Sequence, residues 1–91
     1  MDQKQQRQNL VGPSVRSLRI AAGLSQDGLA GKLQLNGWDL SRGGLSKIEA
    51  QLRRVNDAEF YLLAKALRCE LQDLFPKRPR DLDEFVRSGR R

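Results

Sequence analysis

Two stretches constrain this chain more than any other feature: Leu24-Ser25-Gln26-Asp27-Gly28-Leu29-Ala30, and downstream Leu45-Ser46-Lys47-Ile48-Glu49. Both place apolar residues at helical spacing. Ser25 and Ser41 stand where a hydroxyl can cap each helix start. Asp27 falls in the first turn of the earlier helix, where the dipole favours an anion. The pair reads as two short helices set against each other, the second carrying Arg42, Ser46 and Lys47 outward.

The same spacing organises the rest. Residues 1–12 are polar and glutamine-rich and read as a flexible arm, residues 13–76 as the folded domain, and 77–91 as a basic tail. Pro13 suits a first helical turn, and Val15, Leu18 and Ala22 give helix one over about 13–22. Helix two starts after Ser25, turns Leu29, Ala30 and Leu33 inward, and stops near Asn36-Gly37, a pair suited to positive φ. Gly28 and Gly31 weaken it by up to ~1 kcal/mol each, so packing must hold it. Helix three spans 42–51 with Leu45, Ile48 and Leu52 inward. Asn56 and Glu59 form a capping-box pair for helix four, whose stripe is Phe60, Leu63, Ala64 and Leu67. A short fifth helix around 71–75 ends before Pro76, and Leu82, Phe85 and Val86 support one more short helix in the tail. No useful strand period occurs, so the expected fold is all-α.

Size and charge narrow the function. Ninety-one residues make one domain with a thin core and no room for a large catalytic cleft. The net charge of +6 and a pI near 10.3 point to a polyanionic partner, nucleic acid before an acidic membrane. No run approaches the ~20 apolar residues of a membrane span, and the polar N-terminus lacks a signal-peptide centre, so a cytoplasmic location is expected. The lone Cys69 agrees with a reducing compartment and reads as a core filler. With no histidine, no metal site and no cofactor are expected, and an enzyme is the least supported class.

The order of residues then resembles a known family. Leu18-Arg19, Gly23-Leu24-Ser25-Gln26, Leu29-Ala30, Lys32-Leu33, Ser41-Arg42, Leu45-Ser46-Lys47-Ile48-Glu49 and Leu63-Ala64-Lys65-Ala66-Leu67 are similar to the phage-repressor/Cro-type (lambda repressor-like, XRE) helix-turn-helix family. The resemblance covers about 14–75 and implies a five-helix domain binding operator DNA as a transcriptional regulator. It implies that Gln26 contacts a DNA phosphate, a role the open N–H groups of a helix N-terminus favour; the alternative is a surface helix-starter. It implies that Arg42 and Lys47 face base edges, where both can donate to guanine. Ser41 and Ser46 suit phosphate contact or capping. Ala30 is the small residue that lets helix three cross helix two, and Arg19 and Glu49 are the implied structural salt bridge.

Two departures from the pattern stand out. Between Ala30 and Glu49 the chain runs roughly five residues longer than the family's spacing, an enlargement assigned to Asn36–Leu40, at only ~0.6 kcal/mol per doubling of loop length. Trp38 within it either plugs the loop onto the domain or meets DNA or a partner chain. Gly43-Gly44 falls on the outer face of helix three, allowing close backbone approach to DNA, ordering on binding, or loss of sequence reading. Arg53 and Arg54 suit either phosphate contact or the helix C-terminal dipole.

The expectation is a sequence-specific DNA-binding regulator, a repressor working as a homodimer. The dimer contact is sought among Leu71, Leu74, Phe75, Leu82, Phe85 and Val86. The second reading is a protein-interaction module that keeps the scaffold without specific DNA reading, its partner meeting the Trp38 loop or the C-terminal tail.

Overall fold

The computed structural model describes residues 6–89, with side chains as far as Val86. The expected arm residues 1–5, the tail's Arg90 and Arg91, and the Arg87 side chain lie outside the described residues. Among the described residues every regular element is helical: α1 Gly12–Ala21, α2 Gln26–Leu35, α3 Arg42–Glu49, α4 Asp57–Leu67, a 3-10 turn Leu71–Leu74, and α5 Leu82–Gly89.

The starts follow cap chemistry. Ser25 Oγ accepts from the Gly28 N–H at 2.9 Å and Ser41 Oγ from the Gly44 N–H at 3.0 Å. At α4, Asn56 Oδ1 accepts from the Glu59 N–H at 2.9 Å, while Glu59 Oε1 accepts from the Asn56 N–H at 3.1 Å. Each of these satisfies N–H groups that a helix leaves open. Gly37 takes φ +92° after α2, a backbone state that costs other residues a Cβ clash, and the Trp38 N–H returns to the Leu33 carbonyl at 2.9 Å.

α3 packs on both α1 and α2, α2 packs on α4, and the 3-10 turn closes on α1 and α4. Val15, Leu29, Leu33, Leu45, Ile48, Leu63 and Leu74 are fully buried, one apolar anchor or more from each of these five elements. Each such side chain contributes about 1.5–3 kcal/mol by leaving water, which holds together helices too short to persist alone.

Several boundaries differ from the sequence reading. α3 ends at Glu49, because Gln51 turns into the left-handed region at φ 64°, and Leu52 beyond it is half exposed rather than inward. Ala22 is the exposed C-cap of α1, not part of its apolar stripe. The fifth helix expected around 71–75 is a 3-10 turn, and its Leu74 belongs to the core instead of a dimer face.

The arm is the larger correction. Residues 7–11 are bonded to the domain. Asn9 is buried: its Nδ2 donates to the carbonyls of Ile48 (3.1 Å) and Arg53 (2.8 Å), and its Oδ1 accepts from the Gly12 N–H at 2.8 Å. Gln8 N–H donates to the Gln51 carbonyl at 2.9 Å, and Gln51 Nε2 donates back to the Asn9 carbonyl at 3.0 Å. Arg7 joins the opposite end of the chain. Its Nη2 bonds Glu84 Oε1 at 3.0 Å, and its guanidinium lies 4.9 Å from the centre of the Phe85 ring. The tail therefore contributes α5, with Asp83 and Glu84 in its first turn, docked through Arg7.

Candidate nucleic-acid interface

The face available to a ligand is set by what α3 buries. Leu45, Ile48 and Glu49 point inward, leaving Arg42, Gly43, Ser46, Lys47 and Ala50 exposed. At 100° per residue, Gly43 and Ala50 fall between Ser46 and Lys47 on that exposed arc. The surface is therefore low in relief, with cationic and hydroxyl groups at its edges. Arg42 and Lys47 reach outward as donors suited to base edges or phosphates.

Beneath this arc lies a buried polar junction. Glu49 accepts from Arg19 Nε at 2.7 Å and from Arg19 Nη2 at 3.0 Å, a two-pronged ion pair between α1 and α3. Arg19 Nη1 also donates to the Leu24 carbonyl at 2.9 Å, fixing the α1–α2 turn. Gln26, the first residue of α2, donates its Nε2 to Glu49 Oε1 at 3.1 Å. The glutamine is thus half-buried and oriented from below, a partner that spacing along the sequence does not reveal. Ala30, the small residue that the resemblance assigns to the α2–α3 crossing, is buried.

The double glycine separates into two roles. A Cβ at Gly44 would stand 2.6 Å from Leu40 Cδ1, a nearly buried methyl, so close packing within the turn accounts for that glycine. It is half-buried rather than part of the outer face. A Cβ at Gly43 would meet only Ser41 Oγ, at 3.8 Å, so nothing within the fold demands glycine there. Ser41 itself is occupied as the α3 cap.

The enlarged turn is held down. Trp38 packs against the core, and the Arg53 guanidinium lies 5.7 Å from its ring centre. Arg53 also bonds both oxygens of Glu59 at 3.0 Å and the Arg54 carbonyl at 2.9 Å. These bonds hold the Glu59 carboxyl below its ordinary range and raise the Arg53 guanidinium. Arg53 is therefore engaged in structure, whereas the sequence offered phosphate contact or the helix dipole. The neighbouring Arg54 is exposed. Away from this face, burial raises the Cys69 thiol, in keeping with a packing role.

Among the described residues no cluster of metal-binding side chains occurs, and no helix is long and apolar enough to cross a membrane. Two helices joined by a turn, the second with a shallow polar face over a buried ion pair, define a helix-turn-helix domain. The Helix-turn-helix family model matches residues 15–74, and the chain belongs to this XRE-type family of DNA-binding transcription regulators. The crystal structure of the restriction-modification controller protein C.AhdI from Aeromonas hydrophila is similar at 37% identity and a TM-score of 0.63, covering 72% of this chain and 91% of that one. No curated protein matches the chain in sequence.

Proposed function

We propose that the protein binds a specific DNA operator with α3 in the major groove and represses by occluding the promoter in the cytoplasm. The observation that carries this reading is the shallow α3 arc, with Arg42, Ser46 and Lys47 bordering Gly43 and Ala50. Gly43 leaves room for the helix backbone to approach the groove floor. Arg42 donating two bonds to guanine contributes ~1–3 kcal/mol of discrimination. Gln26 anchors a backbone phosphate beside the α2 N-terminus, and the exposed Arg54 contacts a second phosphate. The net charge of +6 draws the domain to DNA.

Operators of such domains are commonly two half-sites ~34 Å apart, read by a dimer. The exposed apolar residues Leu71, Phe75, Leu82 and Val86 are the candidate dimer contacts here. The similarity to a restriction-modification controller protein supports a regulatory role. The protein-interaction reading drew on Trp38 and the double glycine; Trp38 packs against the core and Gly44 has a packing cause, so DNA binding is favoured.

Selection of bound duplexes from a random DNA pool at physiological salt tests the proposal. An enriched motif, palindromic with half-sites a helical turn apart, is expected. Retention without enrichment means phosphate-only binding, and no retention favours a protein partner. On the selected site, Arg42→Ala should relax base preference, while Gln26→Ala should weaken all sequences alike.

A further inference from the structure

The buried carboxylate at the three-helix junction does more than pair with an arginine. Glu49 accepts three hydrogen bonds, two from Arg19 and one from Gln26 Nε2. An ionised carboxylate can only accept, so the bond decides which end of the Gln26 amide turns inward: nitrogen toward Glu49, with one N–H used. The second N–H is left for another acceptor. Without Glu49 the side chain is free to rotate, and the amide can present its oxygen instead, which a phosphate repels. Arg19 neutralises Glu49, so a carboxylate so near the proposed phosphate contact does not itself oppose DNA.

We infer that Glu49 is a positioning residue for DNA binding, fixing the Gln26 amide so that an N–H donor faces a backbone phosphate. This rests on the proposed contact of Gln26 with phosphate and assigns that contact its orienting partner. The same carboxylate then serves stability through Arg19 and binding through Gln26.

Separating the two roles requires a readout local to one phosphate. Single neutral methylphosphonate substitutions are scanned along the selected duplex, and the affinity loss at each is measured for wild type, Gln26→Ala and Glu49→Gln. Because removing one partner of a buried pair can prevent folding, Arg19→Met combined with Glu49→Leu supplies an apolar replacement of the pair. Thermal melting verifies that each variant is folded at the assay temperature.

Wild type should lose roughly three- to tenfold in affinity at one phosphate, the scale of one hydrogen bond. Gln26→Ala should erase the loss at that phosphate. Glu49→Gln or the apolar double variant, whichever folds, should erase it too while leaving losses at other phosphates intact. If Gln26→Ala erases the local loss and the folded Glu49 variants retain it, the positioning role is overturned and the phosphate contact stands. If no phosphate responds to Gln26→Ala, the contact fails and the inference with it.

Discussion

The Arg53 guanidinium bonds both oxygens of Glu59 at 3.0 Å while its Cζ lies 5.7 Å from the centre of the Trp38 ring. One side chain thus ties the enlarged turn, the segment after α3 and the start of α4. The arrangement explains how a longer turn leaves α3 docked. Closing a longer loop costs little, and here its apolar residue is pinned by a residue from beyond α3.

Arg53→Ala should therefore destabilise the domain by about 1–2 kcal/mol, combining a stacked cation with a partly exposed ion pair. Arg53→Lys keeps the charge but loses the flat two-pronged fork, and should recover less than half of that. Urea unfolding midpoints of the variants check this. A Trp38→Ala, Arg53→Ala cycle should show positive coupling, since both changes remove the same contact.

Acid should act through Glu59. Its folded-state value is lowered, first by the Arg53 hydrogen bond. Between the lowered value and the ordinary one near 4.5 the unfolded chain binds more protons, so stability rises with pH. The contribution is complete above the ordinary value and is lost as pH falls through the lowered one. Glu59→Gln retains the capping-box acceptor but removes the charge and the second oxygen that accepts from Arg53. The stability gap between wild type and Glu59→Gln should be largest at neutral pH and close in acid; urea titrations at pH 7 and below pH 4 would measure it.

Much of this was legible in the sequence because helices announce themselves locally. The serine and asparagine caps, the inward Leu29, Leu45 and Leu63, and the outward Arg42 and Lys47 follow from spacing and cap chemistry. What stayed hidden is carried by polar groups bonded across long separations. Asn9 reaches the Ile48 and Arg53 carbonyls without apolar periodicity to betray it, so residues 7–11 read as an arm. The two tasks of Gly43 and Gly44 were likewise indistinguishable as letters, because the difference is the position of Leu40 Cδ1.

That difference gives opposite outcomes for two alanines. Gly43→Ala meets only an ordinary contact with Ser41 Oγ at 3.8 Å and gains helix propensity, so it should stabilise by up to ~1 kcal/mol. The same methyl stands on the arc proposed to meet the groove and should weaken operator binding. Gly44→Ala forces the buried Leu40 aside and should destabilise by ~1–2 kcal/mol despite its helix gain. Melting temperatures and operator titrations on both variants decide the matter; equal behaviour in both assays contradicts the separation.

The N-terminal segment supplies the last test. Asn9 is the shared partner of two carbonyls and of the first N–H of α1, and all three bonds run through one side chain. Asn9→Ala should cost ~2–4 kcal/mol, because it strands polar backbone at a buried site instead of merely deleting a contact. Gly12→Ala attacks the same junction from the other side. Its Cβ would collide with the carbonyl oxygens of Ile48 and Glu49, which are backbone and cannot rotate away. It should cost at least as much as Asn9→Ala. Amide exchange should show the loss at the α1 start and the end of α3, whereas a flexible arm would leave both protected. Because Glu49 lies at that end, either change should also loosen Gln26 and weaken operator binding in the folded fraction.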